Sequence, residues 1–142
     1  MLLDFFKAAL PVGYVFFFHR PPLAWMAAIA VAPVFGHAFS PFLKGKGGKA
    51  VAATFGIWAG LTLGEMPLLL AFAVITFALL LDSSAWAIVL GMAALLPHLL
   101  INHSANPLLL SVWSVNITLL VFKHRNELPS GVHLRHQTRP KI

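Results

Sequence analysis

The polar residues of this chain fall mostly into three short clusters. The longest covers 37–49 and reads His37-Ala38-Phe39-Ser40-Pro41-Phe42-Leu43-Lys44-Gly45-Lys46-Gly47-Gly48-Lys49. The second is Asp82-Ser83-Ser84, and the third is Lys123-His124-Arg125-Asn126-Glu127. Gly45, Gly47 and Gly48 allow backbone N–H groups to approach an anion closely. Lys44, Lys46 and Lys49 add point charges without demanding a fixed fork geometry. An apolar run resumes at Ala50, so a helix starting there aims its N-terminus at the loop. Helix N-termini favour phosphates through free N–H groups and the macrodipole. The loop therefore reads as a binder of a phosphate-bearing anion. It is not a Walker A loop, because Ala50 stands where Ser or Thr is needed and an apolar run, not a strand, precedes it. An ordinary basic loop on the inner side of a membrane is the competing reading.

His37 and His124 flank the other polar residues, where an imidazole can act as base, phosphate donor or structural donor. Ser83 or Ser84 could serve as nucleophile only with a base in reach. Asp82 or Ser83 equally fits a helix N-cap. Seven histidines raise the question of metal binding. No His-x-x-x-His or His-Glu-x-x-His spacing occurs, and carboxylates are few, so neither a protein-built metal site nor a cofactor is expected. His98 reads as a hydrogen-bonding group between helices, Glu65 as a loop acid, and His133 and His136 as solvated. With no cysteine in the chain, disulfides, thiolate zinc sites and cysteine nucleophiles are excluded.

The elements that must position these clusters are apolar. The chain has 142 residues, enough for one domain. It is 59% hydrophobic and 10% charged, with a mean hydropathy of +0.85, against roughly 45–50% and about 25% in soluble domains. That balance excludes a disordered chain and leaves too little polar surface to cover a water-soluble globule. Apolar runs cover 5–18, 23–36, 50–64, 66–81, 85–101 and 108–122. Each is shorter than the ~20 residues a spanning helix typically needs, but polar ends such as Ser40, Thr62, Ser84 and Ser111 can extend them. Six such runs with hardly a charge between them predict an all-α polytopic membrane bundle of about six transmembrane helices over 1–122, followed by a basic tail over 123–142. Asp4, Lys7 and the His19-Arg20-Pro21-Pro22 end of the first run do not fit a cleaved signal peptide.

Six spans put both termini on one side. That side collects Lys7, Lys44, Lys46, Lys49, Lys123, Arg125, Arg135, Arg139 and Lys141, against Arg20 alone opposite. Basic loops face the cytoplasm, so both termini are predicted cytoplasmic. The net charge of +6 is interleaved with spans rather than gathered on one face, which argues for membrane lipid and against nucleic acid as partner.

The stretch 36–52, Gly-His-Ala-Phe-Ser-Pro-Phe-Leu-Lys-Gly-Lys-Gly-Gly-Lys-Ala-Val-Ala, resembles the signature of the bacterial acyl-phosphate:glycerol-3-phosphate acyltransferases of the PlsY type, roughly Gly-His-x-Phe-x-x-Phe-x-x-Phe/Lys-x-Gly-Gly-Lys-Gly-Val-Ala-Thr. Asp4-Phe5-Phe6-Lys7 followed by Pro11 is similar to that family's Asp-Phe-x-Lys-Gly-x-x-Pro. Lys123-His124-Arg125-Asn126-Glu127 is similar to its Tyr/Lys-His-Arg-x-Asn. The resemblance covers almost the whole chain. It implies a bacterial inner-membrane enzyme that moves a fatty acyl group from acyl phosphate to the 1-hydroxyl of glycerol 3-phosphate, giving lysophosphatidic acid for phospholipid synthesis, without a cofactor. It further implies that Lys46, Gly47, Gly48 and Lys49 bind substrate phosphate. His37 would order the loop or site, His124 would assist proton movement or hold glycerol phosphate, and Ser84 and Asn126 would contact substrate.

Three departures accompany the resemblance. Ala50 replaces the glycine after Gly-Gly-Lys, the order of Asn126 and Glu127 is swapped relative to Arg-x-Asn, and the serine joint is only partly kept in 82–85. The family also has an earlier span and a phosphate-cradling loop just ahead of Asp4, so either Met1 is a wrong start or a fragment boundary, or the chain is a shortened relative. These departures support a competing expectation, a shortened non-catalytic paralogue that binds anionic lipid or a partner membrane enzyme. A small transporter ranks last, because no acid or base in mid-span marks an ion path.

Overall fold

The computed structural model describes residues 2–40, 47–104 and 106–135. They form an all-helical bundle: α1 (Leu2–Tyr14), which continues into a π-helical turn (Val15–His19), α2 (Leu23–Ala38), α3 (Val51–Thr62), α4 (Glu65–Leu80), α5 (Ser84–Asn102) and α6 (Pro107–His124), then a 3-10 turn (Leu128–Ser130). The six apolar runs thus correspond to six α-helices. Pro21 and Pro22 separate α1 from α2, and the Asn106 side chain caps α6 by accepting from Leu108 N at 3.0 Å.

α3 is the centre of the bundle. Ala53, Thr54, Gly56, Ile57, Trp58, Gly60 and Leu61 are all buried in it. Its contact with α1 is backbone on backbone: a Cβ on Gly60 would lie 2.7 Å from Ala9 O and 2.9 Å from Gly13 N, and one on Gly56 would collide with Phe5 O. This is a Gly-x-x-x-Gly face, which brings apolar helices close where no water drives them together. On the other side, Thr54 Oγ1 donates to Asn116 Oδ1 at 3.0 Å and joins α3 to α6. Large apolar side chains point outward instead, among them Leu10, Phe18, Trp25, Leu68, Phe72 and Ile101, as lipid-facing surface requires.

By length and composition, three segments can cross a membrane: Leu2–His19, Ser84–Asn102 and Pro107–His124. The other three are shorter apolar helices, and α3, with 12 residues, rises only about 18 Å. The expected set of similar spans therefore divides into long and short members. α3 can be short because its neighbours, not lipid, surround it. Left-handed residues bound it, Ala50 at φ 61° and Leu63 at φ 50°.

Candidate functional site

The start of α1, the end of α2, the start of α3, the end of α4, the start of α5 and the end of α6 meet at one end of the bundle, so the three polar clusters converge. In the last turn of α2, His37 Nδ1 lies 3.3 Å from Asp4 Oδ1, and Lys7 Nζ pairs with the same oxygen at 2.6 Å. The His37 ring lies against Gly48, where a Cβ would collide with Nε2, and a Cβ on Gly47 would collide with the carbonyl oxygens of His37 and Ala38. Close approach, rather than flexibility alone, requires glycine at both positions. Lys123, in the last turn of α6, donates from Nζ to Ala38 O at 2.8 Å and to Gly47 O at 3.2 Å. Its ammonium also stands 5.4 Å from the centre of the Phe39 ring. The glycine segment is thus held from α2 by His37 and from α6 by Lys123.

Lys49 Nζ reaches Glu127 Oε1 at 2.6 Å, and Glu127 Oε2 lies 3.6 Å from His124 Nδ1. His124 is fully buried, and neither ring nitrogen has a hydrogen bond among the described residues. The Lys49 ammonium beside Glu127 holds its carboxyl below the ordinary carboxylate value. Ala50 starts α3 without a side-chain cap, so the N–H groups of the first turn are left without a capping side chain.

Two hollows adjoin these residues. A polar one of about 450 Å³ is lined by Asp82, Ser83, Ser84, Glu127, Ser130, Gly131 and His133. Its far wall is the chain after α6, which folds back through an antiparallel bridge between Leu81 and Leu134 and an Asp82 N to His133 O bond of 3.0 Å. Trp86 Nε1 donates to Leu128 O at 3.2 Å and pins the turn to α5. The second hollow is an apolar groove of about 490 Å³ between α2 and α6, lined by Phe35, Phe39, Val115, Leu119 and Phe122 with Ser114 and Thr118. Phe39 and Phe122 bring its upper end to Lys123.

Of the residues singled out in the sequence, His37, Gly47, Gly48, Lys49, Ser84 and His124 come together at this end. Lys46 lies outside the described residues. Asn126 is exposed and is not among the residues lining the polar hollow; Glu127, which stands where the Arg-x-Asn pattern has its asparagine, is. Sequence reasoning had assigned no role to Glu127, to Lys123 or to Asp4. Glu127 had a positional signal in that motif, whereas Lys123 had none beyond its charge.

At the opposite end, Glu65 is more than a loop acid. Its Oε1 lies 2.7 Å from His98 Nε2, and its Oε2 lies 3.2 Å from His103 Nε2. His98 does connect helices, as its place in an apolar run suggested.

A family model described as glycerol-3-phosphate acyltransferase matches residues 1–132. The chain belongs to the glycerol-3-phosphate acyltransferase family. It is 34% identical over 142 residues to glycerol-3-phosphate acyltransferase 1 of Thermotoga maritima, covering 90% of this chain and 70% of that protein. It is 30% identical to the glycerol-3-phosphate acyltransferase of Geotalea daltonii (88% of this chain, 63% of that protein). It is 33% identical to that of Listeria welshimeri (99% and 69%). The chain spans about two thirds of the length of these curated relatives. No solved structure gives a significant match. In this family member, the glycine–lysine segment, the α6 terminus and the serine joint form one continuous polar end.

Proposed function

We propose that the chain transfers a fatty acyl group from acyl phosphate to the 1-hydroxyl of glycerol 3-phosphate, giving lysophosphatidic acid at the cytoplasmic face of a bacterial inner membrane. The observation that carries this reading is the glycine segment, held by His37 and Lys123 beside Lys49, with an apolar groove leading up to Lys123. An anionic headgroup and an acyl tail have neighbouring places there. In the resting arrangement the Glu127 carboxylate occupies the position against Lys49 that a phosphate would take. An incoming phosphate displaces it and meets Lys49, Lys46 and the uncapped start of α3, while the tail lies along Phe35, Phe39 and Phe122.

The reaction needs no protein nucleophile. The glycerol oxygen attacks the acyl carbon, the carbon–oxygen bond to phosphate breaks, and inorganic phosphate leaves with its negative charge held by the lysines. Acyl phosphate is already activated, so positioning and charge stabilisation do most of the work. The hydroxyl proton passes to Glu127, freed from Lys49 and facing the polar hollow. His124 acts through Glu127 as a positioning group, since it is sealed from solvent. Ser84 faces the glycerol phosphate. Asn126 retains at most an outer contact.

The test is acyl transfer by the purified chain in detergent, with palmitoyl phosphate and radiolabelled glycerol 3-phosphate. Labelled lysophosphatidic acid that disappears in a folded Lys49→Ala variant is the expected result. Turnover undiminished by Lys49→Ala would refute the assignment of the site. Absence of turnover with retained phosphate or lipid binding would favour the non-catalytic reading, for which the altered Asn126-Glu127 order is the specific observation.

A further inference from the structure

We propose that Glu65, His98 and His103 form a divalent metal site, of the class that takes zinc, at the end of the bundle opposite Lys49. One ligand atom from each residue lies within 4.8 Å of the others. The His98 and His103 rings are 5.7 Å apart between centroids, both turned on the same carboxylate. His103 Nε2 is shielded from solvent and, among the described residues, has only Glu65 Oε2 near it, at 3.2 Å. An imidazole nitrogen sealed in this way and aimed at a carboxylate and a second imidazole gives a converging donor set that can take a cation.

The donor set fits the metal. Two imidazole nitrogens and one carboxylate oxygen suit a borderline-soft first-row ion such as zinc, with a fourth position left for water. Ligand atoms ~2.0–2.1 Å from a tetrahedral ion stand about 3.3 Å apart. The 3.2 Å separation of His103 from Glu65 already matches this. The 2.7 Å contact of His98 has to open by about 0.6 Å, which small side-chain rotations supply.

Asn102 completes the argument. Its Nδ2 lies 3.0 Å from His98 Nδ1, so in the metal-free arrangement Nδ1 accepts and Nε2–H donates to Glu65. Turning the amide over presents Oδ1, which accepts from Nδ1–H and frees Nε2 for the metal. The same residue thus supports both states. The ion would join the first residue of α4 to the end of α5, clamping the open end of that hairpin.

The experiment uses the full chain in detergent, stripped with EDTA and titrated with Co²⁺ as an optical probe, then with Zn²⁺ in competition. One Zn²⁺ per chain is expected at this site, with tetrahedral Co²⁺ absorption that Zn²⁺ abolishes and a melting temperature raised by Zn²⁺. His98→Gln/His103→Gln should lose that ion, Asn102→Ala should bind roughly tenfold more weakly, and His133→Gln should bind as the parent does. Circular dichroism melts in EDTA establish that each variant folds, and Glu65→Gln replaces the double variant should that one fail. No retained Zn²⁺ in the parent, or equal stoichiometry and affinity in parent and folded variants, would overturn the proposal and leave the cluster as a hydrogen-bonded tie between helices.

Discussion

Two glycines within helices make opposite predictions for the same substitution. Alanine at Gly60 puts its new carbon 2.7 Å from Ala9 O and 2.9 Å from Gly13 N, both backbone atoms that no rotamer can move aside. Ordinary contact begins near 3.4 Å, so α1 must retreat by roughly 0.5–0.7 Å, a gap that forfeits a quarter or more of the attraction along that face. Overpacking of this kind costs about 1–3 kcal/mol, and alanine's better helix propensity returns about 1 kcal/mol. Gly60→Ala is therefore expected to lose up to about 2 kcal/mol. At Gly36, in α2, a Cβ meets no described residue within 4 Å, so only the propensity remains and Gly36→Ala should gain about 0.5–1 kcal/mol. Reversible unfolding in mixed detergent and SDS, followed by helical circular dichroism, measures both. Equal stabilities for the two variants would refute the claim that α1 and α3 pack through their backbones. Because α1 also carries Asp4 to His37, Gly60→Ala should reduce acyl transfer, whereas Gly36→Ala should leave it intact.

Lys123→Met removes two charge-assisted bonds to Ala38 O and Gly47 O. Discounted for partial exposure, they are together worth about 1.4 kcal/mol, so kcat/KM should fall about tenfold, with faster hydrogen exchange at Gly47–Lys49; an unchanged exchange rate would exclude the positioning role. Glu127→Asn restores the residue type of the family pattern and removes the anion competing for Lys49. An exposed pair is worth at most ~1 kcal/mol, so phosphate should bind up to about fivefold more tightly, and weaker binding would contradict displacement of Glu127 by substrate. Glu127 also sets an acid limit. Its folded pKa lies below the ordinary 4.5, so the pair's contribution is complete above that value and lost as pH falls through the lowered one. Melts of the parent and of Glu127→Gln should therefore converge only in acid, and convergence near neutrality would be inconsistent with the pairing.

The helices and the polar end were legible because charge, proline and glycine interrupt an otherwise apolar chain at six places. The shortness of α3 was not, since hydropathy does not distinguish a helix wrapped by neighbours from one wrapped by lipid. The Gly56–Gly60 spacing was a readable signal for its packing. Glu127 against Asn126 depends on how Arg125 and the following 3-10 turn leave α6, a matter of one peptide's orientation. The metal-like cluster joins residues far apart in sequence, yet hairpin register leads to it. Val74 and Gly91 lie equally far from the joint at 82–83 and are in contact. The same register places Glu65 opposite Leu100, between His98 and His103. Only with α4 and α5 folded onto one another does the spacing of those two histidines acquire meaning.

Ala50 shows how a departure from the family's glycine can persist. Its φ of 61° is the conformation glycine adopts without strain, and holding an L-residue there costs about 1–2 kcal/mol. Two terms oppose any gain from Ala50→Gly. Glycine loses more backbone entropy on folding, about 0.5–1 kcal/mol, and the alanine methyl, 1% exposed, contributes about 0.8 kcal/mol by burial. The three terms nearly cancel, so Ala50→Gly should change stability by less than about 0.5 kcal/mol. Ala50→Val has no such compensation, because a β-branched side chain at positive φ is strained whatever surrounds it, and it should cost more than about 2 kcal/mol. Unfolding of both variants decides the matter: a tolerated valine would mean that the start of α3 is not left-handed, and the placement of Lys49 against Glu127 would have to be redrawn with it.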